Sequence, residues 1–183
     1  MMRTFAGVLA LVALPLSGTA VQAAEEVVPF HATLELVEDC ESSPNPSEQC
    51  QGFPEWLATC QAQGYDWAFQ SVRAGRATLL GRVTSFEQGC LDFPEAGPPA
   101  IVRSYLRLTM TARNGESLMS FAAGLFDFAQ ENAPGAGTFS ITGGTGRFEG
   151  ATGSGTNGNV MVGGNPGFIV YLDGSLRLPG GKR

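Results

Sequence analysis

The sequence predicts an all-β protein, an eight-stranded antiparallel closed barrel with a cysteine-containing insertion after the first strand. Three observations carry this. Short segments of alternating apolar and polar residues are divided by turn chemistry along most of the chain. The glycine-dense stretch Ile141–Gly158, ITGGTGRFEGATGSGTNG, rules out a helix and reads as a sharp turn entered and left by strands. The segment from Glu116 to Phe128 carries apolar side chains on both faces, as a strand does in a closed barrel or under a packed second layer.

Taken from the N-terminus, Arg3, the apolar run Phe5 to Leu16, the breakers Pro15, Ser17 and Gly18, and then Val21-Gln22-Ala23 have the order of a secretory signal peptide. Cleavage after Ala23 is expected, making 1–23 the signal and 24–183 one barrel domain. The apolar run is 12 residues, too short to span a bilayer, which takes roughly 20. No stable membrane insertion is expected, and the first cysteine, Cys40, lies too far downstream for lipid attachment. The destination is secreted, periplasmic or extracellular.

The first strand is read at Phe30 to Val37. Residues 40–63 follow as a Pro-broken insertion. Its cysteines Cys40, Cys50 and Cys60, with Cys90, make an even set of 4 in an exported chain, which points to two disulfides. Their spacings contain neither a C-x-x-C redox motif nor the close pairs of a zinc site. Three connectivities are open. Stapled to the body, the insertion could be a surface loop or a lid.

Strands are then read at Tyr65 to Arg73, Arg76 to Phe86 and Val102 to Arg113. The last alternates most clearly: Val102, Ser104, Leu106, Leu108, Met110 and Ala112 on one face, Arg103, Tyr105, Arg107, Thr109, Thr111 and Arg113 on the other. Asn114-Gly115 predicts a hairpin through a type I′ turn into the fifth strand, Glu116 to Phe128. Gly137 to Thr142, Ala151 to Met161 and Phe168 to Arg177 complete eight, with Gly143, Gly144, Gly146 and Gly150 as structural turn positions. Closure of the barrel removes exposed strand edges.

GRATLLGRV (Gly75 to Val83), LTMTARNGESL (Leu108 to Leu118) and ITGGTGRFEGATGSG (Ile141 to Gly155) resemble successive blocks of the allene oxide cyclase-like barrel superfamily. Plant dirigent proteins in it carry a similar GGTG-x-F turn, and the likeness is greatest to uncharacterised bacterial secreted members. The resemblance implies an eight-stranded antiparallel, calycin-like barrel and spans most of residues 65 to 178. Its members include cofactor-free cyclases and dirigent proteins that steer the coupling of reactive intermediates. It covers turn and strand blocks and carries over no catalytic residue. Where bacterial relatives often have His in the first block, this chain has Leu79.

Several chemistries are disfavoured. The net charge of −6, falling to −7 once Arg3 is cleaved off, and basic residues scattered singly along the chain argue against nucleic acid. Gly153-Ser-Gly155-Thr-Asn-Gly158 fits G-x-G-x-x-G, with Asp173 at the expected distance, but the glycine-bearing segment after it cannot form the helix that a dinucleotide site needs. Arg147 follows Gly146 where a phosphate loop requires Lys, and is read as a turn-capping or surface side chain. A hydrolytic triad would have to use the single histidine, His31, and nothing near it resembles a nucleophile elbow. No metal site is predicted, Glu38, Asp39 and Glu41 reading as a solvated loop, and no cofactor is expected.

Three function classes remain. A small apolar molecule could be bound in the lumen, against Met110, Phe121, Phe126 and Tyr171, although the same side chains could equally fill a core. A cofactor-free isomerase, cyclase or dirigent-like protein would need a polar lumen group, for which Asp127 and Asp173 are the candidates. A structural or surface protein would have a filled barrel.

Overall fold

The computed structural model describes residues 25–41, 43, 47–93, 101–127, 136–161 and 168–180. The expected signal segment 1–23 lies outside them. Eight strands run in chain order: β1 (Glu26–Asp39), β2 (Trp67–Ala77), β3 (Gly81–Asp92), β4 (Ile101–Ala112), β5 (Ser117–Asp127), β6 (Ala136–Gly144), β7 (Thr152–Met161) and β8 (Phe168–Leu178). Each pairs antiparallel with the next, and β8 returns to β1, so the sheet closes as an eight-stranded barrel. Among the described residues no helix is long and apolar enough to cross a membrane.

Alternation gives the barrel an inside and an outside. Along β4, Val102, Ser104, Leu106, Leu108, Met110 and Ala112 are buried, while the residues between them are exposed or half-buried. The lower lumen is packed solid by Phe30, Leu34, Leu108, Met110, Leu118, Phe139, Ile141, Leu172 and Leu176. Phe30 and Phe139 meet with ring centroids 5.9 Å apart, within the range for attractive ring pairs.

Most strand bounds shift by one or more residues from the sequence reading, the largest change being β3, which runs to Asp92 and not to Phe86, and two turns differ in kind. The β2–β3 turn lies at Thr78–Leu80, not before Arg76. Gly75 stays in the strand because its missing side chain lets β1 come close; a Cβ there would sit 1.9 Å from the Thr33 carbonyl oxygen. Leu79 at the tip has φ 66°, a costly conformation for a residue with a Cβ. The Asn114-Gly115 hairpin forms, but not through a type I′ turn. Ala112 and Glu116 are bridged by a hydrogen bond of 2.8 Å and the Gly115 amide donates to Ala112 at 3.0 Å. Gly115 has φ 85° and Asn114 does not have positive φ, which makes a three-residue loop with one left-handed glycine.

The glycine-dense segment plugs one end. Gly146, at φ 62°, opens a short 3-10 turn, Gly146–Phe148, that drops Phe148 into the barrel base at 0% exposure. Its neighbour Arg147 points the other way. Its guanidinium donates to the Leu79 carbonyl and pairs with Glu116 at 3.2 Å, and its amide donates to Glu116 at 3.1 Å. The turn-capping reading of Arg147 describes this contact set.

The insertion contains a helix that the sequence reading lacked, α1 (Phe53–Ala62). Pro54 opens its first turn, where a missing amide costs nothing. Trp56 and Cys60, four apart, share the face that docks on the outer wall with Ala68 and Cys90. The Trp56 indole donates to the Gly89 carbonyl at 3.0 Å. The disulfides are Cys40–Cys50 and Cys60–Cys90; the first ties the insertion's entry to itself and the second bolts the helix to β3. The helix therefore covers the side of the barrel.

Candidate functional site

Above the packed lower lumen the interior opens into a cavity of about 260 Å³. Leu36, Phe69, Leu91, Leu106 and Val170 form its apolar wall, and Trp67 and Phe93 stand at its edge, packed edge-on with centroids 5.9 Å apart. Gly89 accounts for the placement of Phe69: a Cβ at Gly89 would lie 2.1 Å from the Phe69 ring, so only glycine lets that ring lie across the inner wall. The barrel is neither wholly filled nor wholly hollow.

Polar groups converge on the cavity. Arg73 from β2 and Glu87 from β3 both line it and form an ion pair through Arg73 Nε and Glu87 Oε2, with side-chain exposures of 6% and 1%. The register sets Arg73 opposite Ser85 and Ser71 opposite Glu87, making Arg73 and Glu87 diagonal neighbours. Ser71 Oγ donates to the same Glu87 oxygen at 2.8 Å. Asn157 of β7 lines the cavity too, and its buried Oδ1 has no partner among the described residues. Buried polar atoms are nearly always satisfied by protein or water, so this layer has spare hydrogen-bonding capacity in a low-dielectric interior.

The residues proposed from sequence divide. Met110 is fully buried in the lumen but in its packed part, outside the cavity lining. Phe121 faces outward on β5, half-buried because its ring stacks on Tyr105 at 5.7 Å. Tyr171 is on the outer face of β8, between the inward Val170 and Leu172; partial burial pushes its phenol pKa up. Asp173 also faces out, 69% exposed, and pairs with His31 Nδ1 at 3.2 Å. It is an exterior carboxylate, not a lumen group. The side chains of Phe126 and Asp127 lie outside the described residues. The lumen's ion pair, Arg73 and Glu87, escaped the sequence reading. The signal was parity: Val83, Ser85, Glu87, Gly89 and Leu91 alternate on one face, as do Phe69, Ser71, Arg73, Gly75 and Ala77.

Among the described residues, no group of three or more His, Cys, Asp or Glu side chains comes together to hold a metal ion. Comparison with known proteins returned no matching family model, no matching curated protein and no matching solved structure.

Proposed function

We propose that this is an exported barrel that holds a small, mainly apolar molecule with an uncharged polar end in its upper lumen. The observation that carries the reading is the cavity of about 260 Å³, apolar on most of its wall, with Asp39, Arg73, Glu87, Asn157 and Asn159 gathered on the remainder. Few polar groups in an apolar cleft is the usual make-up of a small-molecule site, and the volume is just below the common range of about 300–1,000 Å³. An uncharged end follows from the buried part of that wall, where Arg73 and Glu87 neutralise each other while Asp39 stands exposed at the rim: a charged group buried beside the pair would be desolvated without a counter-charge of its own. The ordering of residues 1–23 and the two disulfides support export to an oxidising compartment. Membership of the allene oxide cyclase-like superfamily is part of the same proposal and rests on the three sequence blocks.

Titration with the neutral fluorescent probe N-phenyl-1-naphthylamine tests it. One saturable site should appear in the wild type and disappear in Leu106→Trp or Val170→Phe, both of which grow into the cavity, while Leu125→Ser on the outer face leaves it unchanged. Unaltered binding in both filled variants would refute the lumen as the site.

A second reading, a cofactor-free isomerase or cyclase, is favoured by one observation: a carboxylate, Glu87, forms part of the cavity wall. It predicts that a molecule recovered from the cavity is chemically converted by the wild type and returned unchanged by Glu87→Gln.

A further inference from the structure

We propose that the outer wall formed by β2, β3 and β4 is a second binding face, for an acidic polysaccharide chain of the polyuronate type. Three basic residues that stand singly in sequence are gathered here by the strand register. Arg76 lies directly opposite Arg82, and Arg113 follows Ala112, the partner of Val83, so the three stand in a row across three strands. Neighbouring strands are about 4.8 Å apart, and like charges set directly opposite each other are destabilising. No salt bridge to any of the three is found among the described residues. On a chain of net charge −6, an unpaired basic row is an electrostatic feature of its own.

The row lines a groove of about 860 Å³ on the outside of the barrel, which shares no lining residue with the lumen cavity. Thr33, Thr84 and Thr111 stand among the arginines, and Glu35 is the only acidic residue along the groove. Guanidinium groups favour carboxylate oxygens through paired hydrogen bonds, and threonine hydroxyls offer partners to sugar hydroxyls. The lining contains no aromatic residue, so it has neither the stacking platform of a single-stranded nucleic acid site nor the apolar anchors of a protein hot spot or a membrane-surface contact. A peptide could not join as an added strand either, because these three strands are paired on both sides in a closed barrel. A chain bearing one carboxylate and several hydroxyls per unit matches what the groove presents.

The test is binding of polygalacturonate to the full exported protein at low and moderate salt, read by affinity electrophoresis and calorimetry, with neutral dextran, polyglutamate, duplex DNA and phosphatidylglycerol vesicles alongside. The expected result is salt-sensitive binding of polygalacturonate, weakened at least tenfold in Arg76→Gln/Arg82→Gln/Arg113→Gln and weakened in Arg82→Gln alone. Arg177→Gln, on β8, should leave it unchanged. Absence of polygalacturonate binding, equal binding by the triple variant while its thermal melt remains cooperative, or tighter binding of polyglutamate, DNA or vesicles would overturn the proposal.

Discussion

Arg73 and Glu87 pair diagonally across β2 and β3 inside the barrel, and Ser71 donates a further hydrogen bond to the carboxylate oxygen that Arg73 holds. Both charges are almost wholly withdrawn from water. Such a pair is weak grounds for stability but severe to break, since the desolvation cost of each charge is offset only by the other. Its position at the boundary between packed lumen and open cavity makes it the hinge of the functional reading.

Removing one member therefore has a defined cost. Glu87→Ala should destabilise the barrel by about 3–5 kcal/mol, because it strands the Arg73 guanidinium in the lumen. Arg73→Met/Glu87→Leu should recover most of that loss, since apolar replacement of a buried pair is commonly neutral or better. Urea unfolding of the three proteins checks both statements. Equal losses in the single and double variants would show that the charges are not coupled.

Gly89 controls the shape of the cavity without touching its polar wall. In Gly89→Ala the new methyl meets the Phe69 ring at 2.1 Å, and the ring, the movable partner, swings into the cavity. Probe affinity should fall at least tenfold while stability drops by about 1–3 kcal/mol, the usual range for overpacking. Unchanged affinity would mean that Phe69 does not bound the ligand space.

The Cys60–Cys90 bridge closes a sequence separation of 30 residues, for which chain entropy gives roughly 3–4 kcal/mol. Cys60→Ser/Cys90→Ser should lose about that amount and release α1 from the wall, with Trp56 fluorescence shifting red as its indole leaves the Gly89 carbonyl. The probe site should persist, because the helix lies on the outside. Loss of probe binding in a variant that remains folded would return the insertion to the role of a lid.

Acid should loosen the plugged end. The Glu116 carboxylate accepts from the Arg147 amide and from the Asn114 side chain, and these bonds, the Arg147 amide foremost, hold its pKa below the ordinary value of 4.5. A depressed folded pKa gives stability that is present above the unfolded value and is lost as pH falls through the folded one. The wild type should thus lose melting temperature more steeply than Glu116→Gln below about pH 4.5. Parallel curves would remove Glu116 as the cause.

Much of this architecture was legible because barrel strands leave two local marks. Alternation in Val102–Ala112 reported which side chains face in, and Gly146 and Gly150 reported where the chain turns, whereas Gly143 and Gly144, also read as turn positions, belong to the end of β6, and Gly153, Gly155 and Gly158 belong to β7. Orientation was harder wherever apolar residues appear on both faces: Phe121 is shielded by Tyr105 on the exterior, a contact between β5 and β4 that no single strand encodes. Arg73 and Glu87 carry no local mark as a pair, because each is compensated by a residue 14 positions away. The helix α1 was hidden by the prolines and cysteines of the insertion around it, although Pro54 opening a turn with Trp56 and Cys60 four apart is a helical pattern. The arginine row was invisible for a related reason: Arg76, Arg82 and Arg113 belong to or follow different strands and become neighbours only through register.

The central claim is that the upper lumen holds a molecule. Native mass spectrometry of the mature protein purified from an exporting host, compared with its denatured mass, tests this most directly. The account predicts a reproducible extra mass that is lost on denaturation and absent from Leu106→Trp. A native mass equal to the polypeptide alone, with no uptake from a panel of neutral apolar probes, would contradict it and leave the barrel a structural or surface protein.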